Sequence, residues 1–155
     1  MNNQAMIETK LKGLPSEDAA DLLMETYPLE ASNYSDAFTI MAHRSWKKPD
    51  QLRLARFYFR KTPFANPKPY EVFASFMSLP TLISVVREAI FNKPNDWQFI
   101  VYHVTPVLRK NVKTENDRNL VARFITEADS GQIKSCPSEG FRTADRRLPF
   151  GCKLP

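Results

Sequence analysis

Three arginines on one short segment are the sharpest chemical feature of this chain. Arg53, Arg56 and Arg60 are spaced by three and then four residues, so on a helix they share one face. A guanidinium is a planar fork that binds a phosphate or a carboxylate through two parallel bonds. Lys47 and Lys48 precede the stripe and Lys61 follows it, and only Asp50 lies close enough in sequence to pair with it. Such a stripe suits the backbone of a nucleic acid or an acidic protein surface. The competing use is a solvated helix face whose terminal lysines answer the helix dipole. Phe57, Tyr58 and Phe59 stand between the arginines, an interleaving that superficially suits stacking on single strands. On a helix these rings point away from the arginines, which assigns them to packing.

Residue types for catalysis are sparse. His43 shares a polar face with Asp36, Thr39 and Lys47 and reads as a surface residue. His103 lies beside Pro106 with Phe99 and Val107, where a neutral imidazole meeting a carbonyl freed by the proline is the ordinary use. Glu17, Asp18 and Asp21 fall at a helix start, where the dipole accounts for them. Cys136 and Cys152 lack the paired spacing of a zinc site and read as free thiols in a reducing compartment, a disulfide between them being the alternative. No metal, cofactor or catalytic residue is expected. Glycine placement narrows the field further: only Gly13, Gly131, Gly140 and Gly151 occur, so residues 14–130 contain none. Phosphate-cradling loops, nucleophile elbows and EF-hand loops need glycine, and Asn-Gly hairpins do as well. These are excluded from the body.

With 155 residues and 43% hydrophobic content the chain suits one domain with a genuine core. Net charge is +5, unevenly spread: −5 over residues 1–36, +9 over 37–113 and +1 over 114–155. A basic middle attracts nucleic acid, anionic membrane or acidic protein. The first thirty residues hold no apolar signal-like run. The uncharged stretch Val72 to Val86 is fifteen residues long and contains Pro80, too short to span a bilayer. A cytoplasmic location without membrane insertion is expected.

Helical periodicity must position these groups. A short amphipathic segment holds Met6, Ile7 and Leu11. Ser16 caps a second helix through Tyr27. Ser35 and Asp36 open a third through about Trp46, and Pro49 and Asp50 a fourth through about Lys61. Tyr70 to Ser78 follows, then a helix from Ser78 to about Phe91. Another runs from Asn95 towards Lys110, with Pro106 expected to kink or divide it. The last runs from Asn116 to about Asp129. This predicts a single helical domain over residues 1–130 and an irregular tail over 131–155.

Leu54-Ala55-Arg56, Val85-Val86-Arg87 and Val121-Ala122-Arg123 each place two small or branched apolar residues before an arginine. Each such helix follows one carrying Phe38, Phe73 or Phe99 soon after an acidic group. The pattern reads as a helix-pair unit used three times, which must stack to bury its apolar stripe, with an atypical terminal pair as cap. With Leu79-Pro80-Thr81-Leu82-Ile83 followed by Val86-Arg87-Glu88-Ala89, residues 33–129 resemble the HEAT-type α-helical repeat. Phe57-Tyr58 and Phe124-Ile125 depart from the small residues expected there. The resemblance implies an all-α fold of stacked antiparallel helix pairs, a compact helical bundle being the alternative. It also implies a packing role for Arg56, Arg87 and Arg123, each bonding an acidic or carbonyl group of a neighbouring unit.

The function expected is a non-enzymatic binding protein that presents Arg53, Arg60, Lys47 and Lys48 to an acidic macromolecular partner. Nucleic-acid binding is the alternative. The resemblance extends that alternative to HEAT-like DNA glycosylases, for which Asp96 beside Trp97 is the only adjacent Asp-Trp pair.

Overall fold

The computed structural model describes residues 3–134, and among them every regular element is helical. The helices are α1 (Asn3–Lys12), α2 (Ser16–Thr26), α3 (Asp36–Met41), α4 (Lys48–Tyr58), α5 (Lys68–Phe76), α6 (Leu79–Asn92), α7 (Trp97–Lys110) and α8 (Glu115–Asp129). Short 3-10 turns occupy Phe59–Lys61, Pro94–Asp96 and Gln132–Lys134.

Prolines open the helices where their missing N–H costs nothing: Pro49, Pro69 and Pro80 sit in the first turns of α4, α5 and α6. Ser78 caps α6 by accepting the Thr81 N–H at 3.4 Å. At α8, Thr114 accepts the Asp117 N–H at 3.0 Å while the Asp117 carboxylate accepts the Lys113 N–H at 3.1 Å. That reciprocal arrangement satisfies two otherwise orphaned donors. Gly131, at φ +75°, turns the chain after α8 with its N–H on the Ala128 carbonyl.

The helices stack in two layers. In one, α1 packs on α3, α3 on α5 and α5 on α7; in the other, α2 packs on α4, α4 on α6 and α6 on α8. Each layer presents an apolar stripe to the other. Phe38, Tyr58, Phe59, Phe64, Tyr70 and Phe73 form a buried aromatic centre with edge-on contacts, among them Phe59–Phe73 at 5.1 Å and Phe38–Tyr58 at 5.4 Å. Such pairs add about 0.5–1.5 kcal/mol each beyond area burial. Leu82, Val86 and Ile90 of α6 and Ile100, Val104 and Leu108 of α7 extend the core towards Phe124 of α8.

Four sequence expectations are corrected. The third helix stops at Met41, short of Trp46, because the Trp46 indole N–H caps the Met41 carbonyl at 3.1 Å and turns the chain. Ser16 does not cap α2: Pro15 holds that position, and the Ser16 hydroxyl donates instead to Asp50 at 2.6 Å. Pro106 does not divide α7, which runs unbroken from Trp97 to Lys110 with the proline exposed. Phe99, grouped with Phe38 and Phe73 by pattern, is 64% exposed; the core position is taken by the next residue, Ile100. The expected tail lies outside the described residues from 135 onward, including Cys136 and Cys152; before it, Ile133 is buried and its turn packs against α6 and α8.

Candidate anion-binding groove between α4 and α6

The arginine stripe of α4 faces two neighbours, α2 on one flank and α6 on the other, and its members meet different fates. Arg53 bonds Asp21 of α2 and, at 3.1 Å, Asp50 of its own helix. The bond to Asp21 is the main cause that raises its guanidinium pKa, partial desolvation opposing and Asp50 assisting. Arg56 grips Glu88 of α6 through two parallel bonds of 3.1 Å. One helix further on, Arg87 of α6 bonds Glu127 of α8 and lies 5.6 Å over the Phe124 ring. Adjacent helices of this layer are therefore joined by a ladder of Arg–carboxylate pairs. Arg123, at the matching position of α8, is exposed.

Lys61 donates to the Leu29 carbonyl at 2.9 Å and sits 5.2 Å over the Tyr34 ring. Lys47 and Lys48 are exposed at the start of α4, their ammonium groups without a protein partner among the described residues. Arg60 is distinct. Its Nε donates to the Phe57 carbonyl at 3.3 Å and its guanidinium lies 4.7 Å over the Phe57 ring. No carboxylate among the described residues reaches it.

Beside Arg60 runs a groove of about 310 Å³ between α4 and α6. Its floor is apolar, from Phe59, Val85 and Ala89; Arg60, Asn92 and Lys93 form the rim, and the Arg56–Glu88 pair closes one side. Lys93 donates to the Arg60 carbonyl at 2.7 Å and to the Thr62 carbonyl, tying the end of α6 to the end of α4. The lining thus carries three cations and one carboxylate, and both oxygens of that carboxylate already serve Arg56. A broader groove of about 500 Å³ borders His43, Arg44 and Trp46. Its arginine is committed, bonding the Leu11 carbonyl at 2.6 Å and stacking 4.7 Å over Trp46.

The other candidates lie apart. His43 is exposed with Nδ1 3.4 Å from the Glu8 carboxylate. His103 is half-buried, its ring 5.0 Å from that of Tyr102. Neither Asp96 nor Trp97 lines the groove, and Trp97 packs against the core. Among the described residues no cluster of three or more His, Cys, Asp or Glu side chains is placed to hold a metal ion. No helix there is long and apolar enough to cross a membrane.

Sequence reasoning missed Asp21, Glu88 and Lys93 as partners of the stripe, because each lies about one helix pair away along the chain. It also missed the exposed row Phe99, Tyr102 and Pro106 on α7. Their spacing of three and four residues, opposite Ile100, Val104 and Val107, was the available signal. Fold and groove together define a two-layered helical stack with a cationic groove on one layer. No family model, curated protein or solved structure matches this chain.

Proposed function

We propose that the protein is a non-enzymatic helical scaffold, of the HEAT-type repeat class, that binds an acidic macromolecular partner through the α2–α4–α6–α8 layer. The observation that carries this is the division of the basic stripe. Arg53 and Arg56 are neutralised by Asp21 and Glu88, whereas Arg60, Lys47 and Lys48 keep uncompensated charge at the two ends of α4. Isolated cations between carboxylates suit single acidic side chains of a protein. A nucleic-acid backbone needs a continuous cationic track, which the pairing of Arg53 with Asp21 and of Arg56 with Glu88 interrupts. Charges so arranged chiefly raise association rate and discriminate among partners.

The test is binding of a labelled polyglutamate and of a labelled single-stranded oligonucleotide at low and moderate salt. Polyglutamate is expected to bind at low salt, and the triple reversal K47E/K48E/R60E to abolish that binding without loss of helicity. Failure of polyglutamate to bind at low salt overturns the proposal. Tighter binding of the oligonucleotide, with a steep salt slope, assigns the surface to nucleic acid instead.

A further inference from the structure

Resting on that reading, we infer that the groove between α4 and α6 is a subsite for a glutamate side chain of an acidic peptide segment, with Arg60 as the residue that reads its carboxylate. Arg60 is preorganised for this. Its Nε is spent on the Phe57 carbonyl and its plane is held against the Phe57 ring, which leaves both terminal amino groups uncommitted. Holding a fork in place before the ligand arrives removes ordering cost from binding. Lys93 fixes the groove's width through its bonds to the Arg60 and Thr62 carbonyls and retains a third N–H. Glu88 does not quench the site, because Arg56 occupies both its oxygens.

The shape selects the ligand's stem. Phe59, Val85 and Ala89 give an apolar floor below a charged rim, and about 310 Å³ is at the small end of ligand pockets. A glutamate lays two methylenes on that floor while its carboxylate meets the rim; an aspartate is one methylene short.

The experiment measures binding of fluorescein-labelled octaglutamate and octaaspartate to the full chain and to the variants R60Q, N92W and K47E/K48E. Asn92 is exposed on the rim, so N92W obstructs the groove without changing charge. Octaglutamate is expected to bind about fourfold more tightly than octaaspartate, as one further buried methylene implies. R60Q is expected to weaken octaglutamate about tenfold or more, the scale of a charge-assisted bond. N92W is expected to weaken it comparably, with urea midpoints of both variants near wild type. Equal binding of the two peptides together with full binding by N92W overturns the subsite. If K47E/K48E alone then abolishes binding, the acidic-partner reading survives without it. An oligonucleotide that N92W displaces as strongly as octaglutamate also overturns it.

Discussion

Arg56 of α4 and Glu88 of α6 meet fork to fork, two bonds of 3.1 Å across a helix boundary. Single Arg–carboxylate bonds link successive helices elsewhere in the layer, Arg53 with Asp21 and Arg87 with Glu127. The partners stand 32, 32 and 40 residues apart, so the ladder joins separate helices rather than turns of one helix.

Double-mutant cycles should rank the rungs by burial. The Arg87 and Glu127 side chains are 20% and 26% exposed, whereas Arg56 is 54% exposed. R87Q with E127Q is expected to give a coupling of about 1 kcal/mol, and R56Q with E88Q about 0.5 kcal/mol or less, with the second pair more sensitive to salt. Urea denaturation at two ionic strengths measures both, and a reversed ranking would count against burial as the controlling variable.

Asp50 is a buried pin between α2 and α4. It accepts the Ser16 hydroxyl at 2.6 Å, which itself accepts the Lys47 N–H at 2.9 Å. D50A strands a buried hydroxyl and is expected to cost about 2–3 kcal/mol, against about 1 kcal/mol for S16A. The shift of urea midpoint is the readout; equal small effects would show that water replaces the bond.

Alkaline pH should loosen the core. Burial, with the Tyr27 hydroxyl adding to it, pushes the Tyr58 pKa far above its ordinary value of 10, and burial does the same to Tyr70. Above pH 10 the folded chain holds protons that the unfolded chain releases, so stability is complete below about pH 10 and falls as pH rises beyond it. Tyr58 also donates to the Tyr27 carbonyl at 3.0 Å. Y58F is expected to cost about 1 kcal/mol at neutral pH and to flatten the alkaline limb. Urea midpoints against pH, followed alongside tyrosinate absorbance, check both.

Phe73 and Phe99 separate pattern from packing. F73A is expected to cost about 3–5 kcal/mol, because the ring is wholly buried. F99S, at a ring that is 64% exposed, is expected to stay within about 0.5 kcal/mol of wild type. Thermal or urea melts distinguish them directly.

The helical class, the starts of α4 at Pro49 and of α6 beside Ser78, and the packing of Tyr58 were legible because they rest on local propensity and 3.6-residue periodicity. The spacing of Leu54–Arg56, Val85–Arg87 and Val121–Arg123 likewise marked α4, α6 and α8. What stayed hidden was non-local. Nothing near Arg53 or Arg56 in sequence reveals Asp21 or Glu88, and Arg60 looks like its two neighbours until their carboxylates are located. Ser16 misled for a related reason, since a hydroxyl suited to its own helix start found a better acceptor on α4.

The bonds between separate helices have a consequence for how the chain folds. Lys61 reaches back to Leu29, Lys93 to Arg60 and Thr62, and Arg44 to Leu11, spans of 31 to 33 residues. Contacts of that span close only modest loops at each step, and loop-closure entropy grows slowly with loop length. From α3 onward each helix also finds partners among residues synthesised earlier, so the stack can grow from the amino end as the chain leaves the ribosome.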